Sequence, residues 1–206
     1  MNIEKLKELE DSFFEYYPNG FLDEKLVKVG KIFNTPRFTK MAIDSFEIKN
    51  FSDIESICQD FFNILLKSPL ISFYEGSTLR NALKSFTNYE KDMLSIYLQD
   101  ILYSGYKNSF DDFLELLASK NIAKWQIVTL IPYYFAPNNN YFLKPTTTKN
   151  IIKYFELENL KYNPKPSLEF YLNYTKQLEN MKKHLRKELR DDNARFTGFL
   201  RMALDS

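Results

Sequence analysis

His184 and Cys58 are the only residues of their kinds among 206, and that scarcity bounds the chemistry the chain can perform. A structural zinc site wants four Cys or His ligands, and a catalytic one wants two or three His with a carboxylate, so neither can be assembled. A Ser-His-Asp or Cys-His arrangement would have to use His184 as its base. That residue sits in Lys182-Lys183-His184-Leu185-Arg186-Lys187, and no G-x-S-x-G elbow accompanies it; it reads as a solvated surface histidine. Cys58, beside Ile57 and near Phe61, reads as a small core residue. Carboxylates for a magnesium site occur at Asp111, Asp112 and Glu115 and at Asp191 and Asp192. The first two fall where a helix begins, and acids there answer the helix dipole. Neither G-x-G-x-x-G nor G-x-x-x-x-G-K-[ST] occurs, and five scattered glycines cannot easily build a phosphate cradle. Glu47-Ile48-Lys49 and Asp23-Glu24-Lys25 match an acid-x-Lys nuclease pattern but lack the strand it needs. No catalytic, cofactor-binding or metal-ligating residue is therefore assigned, and no cofactor is implied.

The remaining charged feature is a basic C-terminal region. Lys183, Arg186, Lys187 and Arg190 recur at three- and four-residue steps, which places them on one face of a helix and makes them a candidate polyanion-binding stripe. The alternative is an ordinary solvated face: Glu179 can pair with Lys183 one turn away, and Asp191 and Asp192 dilute the patch. Net charge is +1 overall, yet residues 1–103 carry 12 Lys and Arg against 16 Asp and Glu, and residues 104–206 carry 16 against 11. An acidic half joined to a basic half implies either internal complementarity or a localised basic face.

Positioning these residues falls to helices. Ile3, Leu6, Leu9, Phe13 and Tyr17 define one helical face, ended by Pro18-Asn19-Gly20. Asp23 caps a second helix carrying Leu26, Val27 and Phe33, and Thr35-Pro36 opens a third. Capping boxes are expected at Ser52 to Glu55, Thr87 to Glu90 and Ser109 to Asp112, with a short helix from near Ser77. Residues 125–143 are ambiguous: Ile127, Val128, Thr129 and Ile131 suit a strand, but Trp125, Val128 and Thr129 also suit a buried helix, which we prefer, ended or kinked by Pro132. Tyr141-Phe142-Leu143 is expected to be extended. Thr147 or Thr148 would cap the next helix, and Ser167 a long last one running through Leu189.

No apolar run approaches the roughly 20 residues that span a bilayer; Ile127 to Ala136 is too short and contains Pro132. The first 17 residues lack the apolar core of a signal peptide. A single cysteine fits a reducing compartment, so a cytoplasmic location is expected.

Trp125, Thr129, Pro137, Phe142-Leu143-Lys144-Pro145-Thr146 and Tyr162-Asn163-Pro164-Lys165-Pro166-Ser167 form a pattern over roughly residues 120–170. It resembles that of a group of uncharacterised bacterial proteins. The resemblance implies a bacterial origin and carries no activity.

The expected fold is a single all-α, irregular multi-helix domain over 1–206, with eight or nine helices and at most a minor β element. The expected function is that of a non-catalytic interaction or adaptor protein, with a protein partner and no membrane association. A nucleic-acid-associated protein using Lys183, Arg186, Lys187 and Arg190 is the alternative, and an enzyme with an unrecognised site the third reading. An exposed apolar surface would favour the first; a deep pocket with convergent polar groups would favour the last.

Overall fold

A computed structural model describes residues 1–205. Among them the chain forms α1 (Ile3–Tyr16), α2 (Glu24–Phe33), α3 (Thr35–Ser45), α4 (Ile54–Lys67), α5 (Glu75–Ser85), α6 (Asn88–Tyr103), α7 (Phe110–Ser119), α8 (Trp125–Phe135), α9 (Pro145–Tyr154), α10 (Leu168–Lys182), α11 (Lys187–Arg190) and α12 (Asn193–Asp205), with 3₁₀ turns at Gly20–Leu22 and Ile48–Ser52. There is no strand among the described residues, so the all-α expectation holds, and residues 141–143 run between helices without pairing.

The extra helices arise at the C-terminus. The helix expected to run through Leu189 ends at Lys182, because Arg186 is extended (φ −61, ψ 153) and its N–H donates to the Glu10 carboxylate of α1 at 2.5 Å. Leu185 and Leu189 remain buried, but they reach the core through a turn and the short α11.

The helix starts follow capping chemistry with three corrections. At Thr87 the capping box is complete: its hydroxyl accepts from the Glu90 N–H at 3.2 Å while Glu90 accepts from the Thr87 N–H at 2.8 Å. Ser167 accepts from the Phe170 N–H, and Asp23 from the Lys25 N–H, as expected. Before α4 the cap is Asp53, which accepts from the Ser56 N–H, while the Ser52 hydroxyl turns back to the Lys49 carbonyl; the acid one residue on satisfies the orphan donors more strongly. Before α7, the Ser109 hydroxyl donates to the Asp100 carboxylate at 2.7 Å instead of capping. Helix α9 starts at Pro145 rather than at Thr147 or Thr148, as suits a residue without an N–H to satisfy.

Two apolar cores result. One gathers α3 to α8 around Phe46, Phe61, Phe62 and Phe113; the other gathers α1 and α9 to α12 around Leu6, Phe155, Phe196 and Phe199. Helix α8 joins them, with Trp125 in the second core and Ile127 to Tyr134 lining the first. It is apolar nearly all round and is buried from Ile127 to Tyr134, as such a helix must be. Pro132 lies inside it, so one backbone donor is missing there. Side chains secure its ends: the Trp125 indole N–H donates to the Asn163 carbonyl at 2.7 Å, and the Asn140 amide donates to the carbonyls of Pro132 and Ala136. The Thr129 hydroxyl donates to the Trp125 carbonyl at 2.7 Å and accepts the buried Leu143 N–H at 3.0 Å. Most of the 120–170 pattern is thus one hydrogen-bonded unit around α8.

Thr129→Val strands the Leu143 N–H in an apolar setting and should cost about 1–3 kcal/mol. Thr129→Ser, which keeps the oxygen, should cost clearly less, as read from urea unfolding midpoints.

Candidate functional site

The basic residues singled out in the sequence are not gathered on one helix. Lys183 follows the end of α10, Arg186 precedes α11, and Lys187 and Arg190 bracket α11. All four are exposed, and two are engaged internally. The Arg186 guanidinium donates to Asp11 at 3.1 Å and lies over the Phe14 ring, 4.7 Å from its centroid. Lys187 pairs with Asp191 at 3.8 Å. Glu179 pairs with Lys182, not with Lys183. Buried Glu10 accepts from Lys7 at 2.9 Å as well as from the Arg186 N–H. The acidic N-terminal helix and the basic C-terminal turn therefore complement each other at this contact, and among the described residues Lys183 and Arg190 have no ion-pair partner.

Cys58 is fully buried, and burial pushes its thiol up to about 11, far from the thiolate that nucleophilic chemistry requires. His184 is half-buried in the turn after α10. Asp111 and Asp112 stand in the first turn of α7, and Asp192 accepts from the Arg195 N–H at the start of α12. Among the described residues no three His, Cys, Asp or Glu side chains gather as a metal site would need.

An apolar concave feature lies elsewhere, at the seam between the two cores. A cavity of about 270 Å³ is roofed by α2 through Leu26, Val29, Gly30 and Phe33. This is the i, i+3, i+4, i+7 face of that helix. Its floor comes from both cores: Tyr133 and Phe142 on one side, Ile151, Tyr174 and Leu178 on the other, with Met202 from α12. Leu70, in the loop after α4, closes one side. The polar residues are Thr35, Tyr133, Thr147, Thr148, Tyr174 and Thr197, with the cations Lys144, Arg195 and Arg201. Among the described residues no His, Cys, Asp or Glu lines it. Burial holds the phenols of Tyr133 and Tyr174 above the ordinary tyrosine range, eased for Tyr174 by its bond to Thr148 and for Tyr133 by its bond to Thr35. They act at neutral pH as hydrogen-bonding groups and not as bases.

Helix α2 is a light cover. Leu26 is its one buried side chain, and its main packing is with the turn that precedes it. A second, more open hollow of about 740 Å³ lies against α2 and α3, sharing Leu26, Gly30, Thr35 and Arg195 with the first. The helix is bounded by Gly20 (φ 55) and Asn34 (φ 45), both in the left-handed region. Phe33 is held under the Arg201 guanidinium, 5.3 Å from the ring centroid. Outward it presents Lys25, Lys28 and Lys31 together with Ile32, which is 70% exposed; Leu22 in the preceding turn is 73% exposed. A helix carrying Leu26, Val27 and Phe33 was expected, but not its place over the cavity; the alternation of lysines with apolar residues over 25–33 was the available signal.

No protein-family model matches the chain, and searches of curated proteins and of solved structures return no match either.

Two outcomes check this description. With its thiol at about 11, Cys58 is ionised to roughly one part in a thousand at pH 8, so a disulfide reagent should label it slowly in the native protein and promptly in urea. Arg186→Glu, which sets a third acid beside Asp11 and Glu10, should lower the urea midpoint, whereas Lys183→Glu should leave it nearly unchanged, both effects staying within about 1 kcal/mol.

Proposed function

We propose that the protein is a non-catalytic binding protein of the adaptor kind, which receives an apolar group in the cleft beneath α2. The observation that carries this reading is the cavity itself: an apolar space between two cores, covered by a helix with a single buried side chain. Ligand sites favour such seams and such linings, mostly apolar with a few fixed polar groups. Its chemistry supports binding over turnover, since among the described residues no His, Cys, Asp or Glu lines it and burial raises the phenols of Tyr133 and Tyr174. The adaptor character rests on the outer side of the same region, where Leu22, Val27 and Ile32 stand exposed and offer a surface to a protein partner. A bacterial, cytoplasmic setting is part of the proposal, supported by the 120–170 pattern and by the single buried cysteine. Nucleic-acid contact through residues 183–190 draws less support, because Arg186 and Lys187 are paired with Asp11 and Asp191.

Gly30 provides the test. It lines the cavity in mid-helix, and a Cβ there would meet nothing within 4 Å. Gly30→Leu should therefore fill the space from a side chain that also favours helix by about 1 kcal/mol. A neutral apolar dye such as N-phenyl-1-naphthylamine should brighten and shift to the blue with the native protein. It should do so several-fold less with Gly30→Leu, whose circular dichroism remains native. A dye response that is absent, or equal in the two proteins, would contradict the reading.

A further inference from the structure

The charges around the cavity say which class of apolar molecule it suits. Resting on the binding role above, we propose that the ligand is a medium-chain carboxylate, its alkyl chain under α2 and its carboxylate at the mouth between Lys144 and Arg195. Both side chains border the cavity and are exposed, so they mark where its lining meets water. Neither is in an ion pair among the described residues. Among the described residues no acid lines the cavity. The two acids nearby, Asp44 and Asp192, border only the outer hollow and are engaged, the first with Lys40 at 2.8 Å and the second with the Arg195 N–H at 2.9 Å.

An anionic head therefore meets cations without displacing a carboxylate. It also stays in contact with water, which avoids the cost of burying a charge. The chain then fills apolar space. A cavity of about 270 Å³ lies at the small end of ligand sites, which favours a medium chain such as decanoate over a long-chain fatty acid. Lys25, Lys28 and Lys31 on the outer face of α2 add a positive field that favours approach of an anion and opposes a cationic amphiphile.

Isothermal titration of the full chain with decanoate, decanol and decyltrimethylammonium tests this. Decanoate should bind at one site per chain, at least tenfold tighter than decanol, and decyltrimethylammonium more weakly than either. Lys144→Glu/Arg195→Glu changes two exposed residues. It should weaken decanoate at least tenfold and leave decanol within about twofold. Gly30→Leu should weaken both. Decanol binding as tightly as decanoate, or a double reversal without effect on decanoate, would overturn the proposal while leaving an apolar binding site in place. Failure of all three compounds to bind would remove the binding role and the ligand class together.

Discussion

Helix α8 must be buried nearly all round, and the rest of the architecture follows from how its polar groups are satisfied. A helix that offers Ile127 to Tyr134 to the interior and includes Pro132 cannot face water or keep every backbone bond. The neighbouring segments supply what it needs: Asn163 accepts from Trp125, Asn140 closes the C-terminal carbonyls, and Thr129 bridges its own helix to Leu143. These bonds hold 140–144 against α8 and so fix where α9 begins. Through Lys144 and Phe142 they also fix one wall of the cavity.

The cavity is a consequence of having two cores instead of one. Where α3 to α8 meet α9 to α12, the side chains of Tyr133 and Phe142 face those of Ile151, Tyr174 and Leu178 without filling the space between them. An unfilled apolar space forfeits dispersion contacts, so it is an expense unless something occupies it. Helix α2 closes the gap at little commitment, with Leu26 buried, Phe33 under Arg201, and positive-φ residues at both approaches. Local elements with so few buried contacts belong to the least stable part of a fold, from which covers and lids are drawn.

Helix content was legible because it rests on local signals: apolar spacing in α1, the Thr87 box, and the caps at Asp23 and Ser167. The misplacements have tertiary causes. Ser109 suits a cap by sequence but is claimed by Asp100, and the last long helix is broken because the Arg186 N–H finds Glu10, 176 residues away. The acidic and basic halves allowed either internal complementarity or a localised basic face; Arg186 and Asp11 form one ion pair between them. The cavity was not legible, since its residues come from six helices and the segments between them, and no spacing connects Gly30 with Lys144 or Arg195. The dense aromatic content was visible, but not that Trp125 and Tyr141 would serve as buried hydrogen-bonding pieces of the seam.

The central claim is that α2 is a cover over a site, and amide hydrogen exchange addresses it most directly. In the free protein, amides of residues 24–33 should exchange much faster than those of α8. Saturating decanoate should slow them several-fold, with smaller effects in α9 and α12 and none in α5 or α7. Exchange in 24–33 as slow as in α8, or unaltered by a ligand shown to bind, would mean that α2 is a fixed part of the fold and that the cavity beneath it is not where the ligand sits.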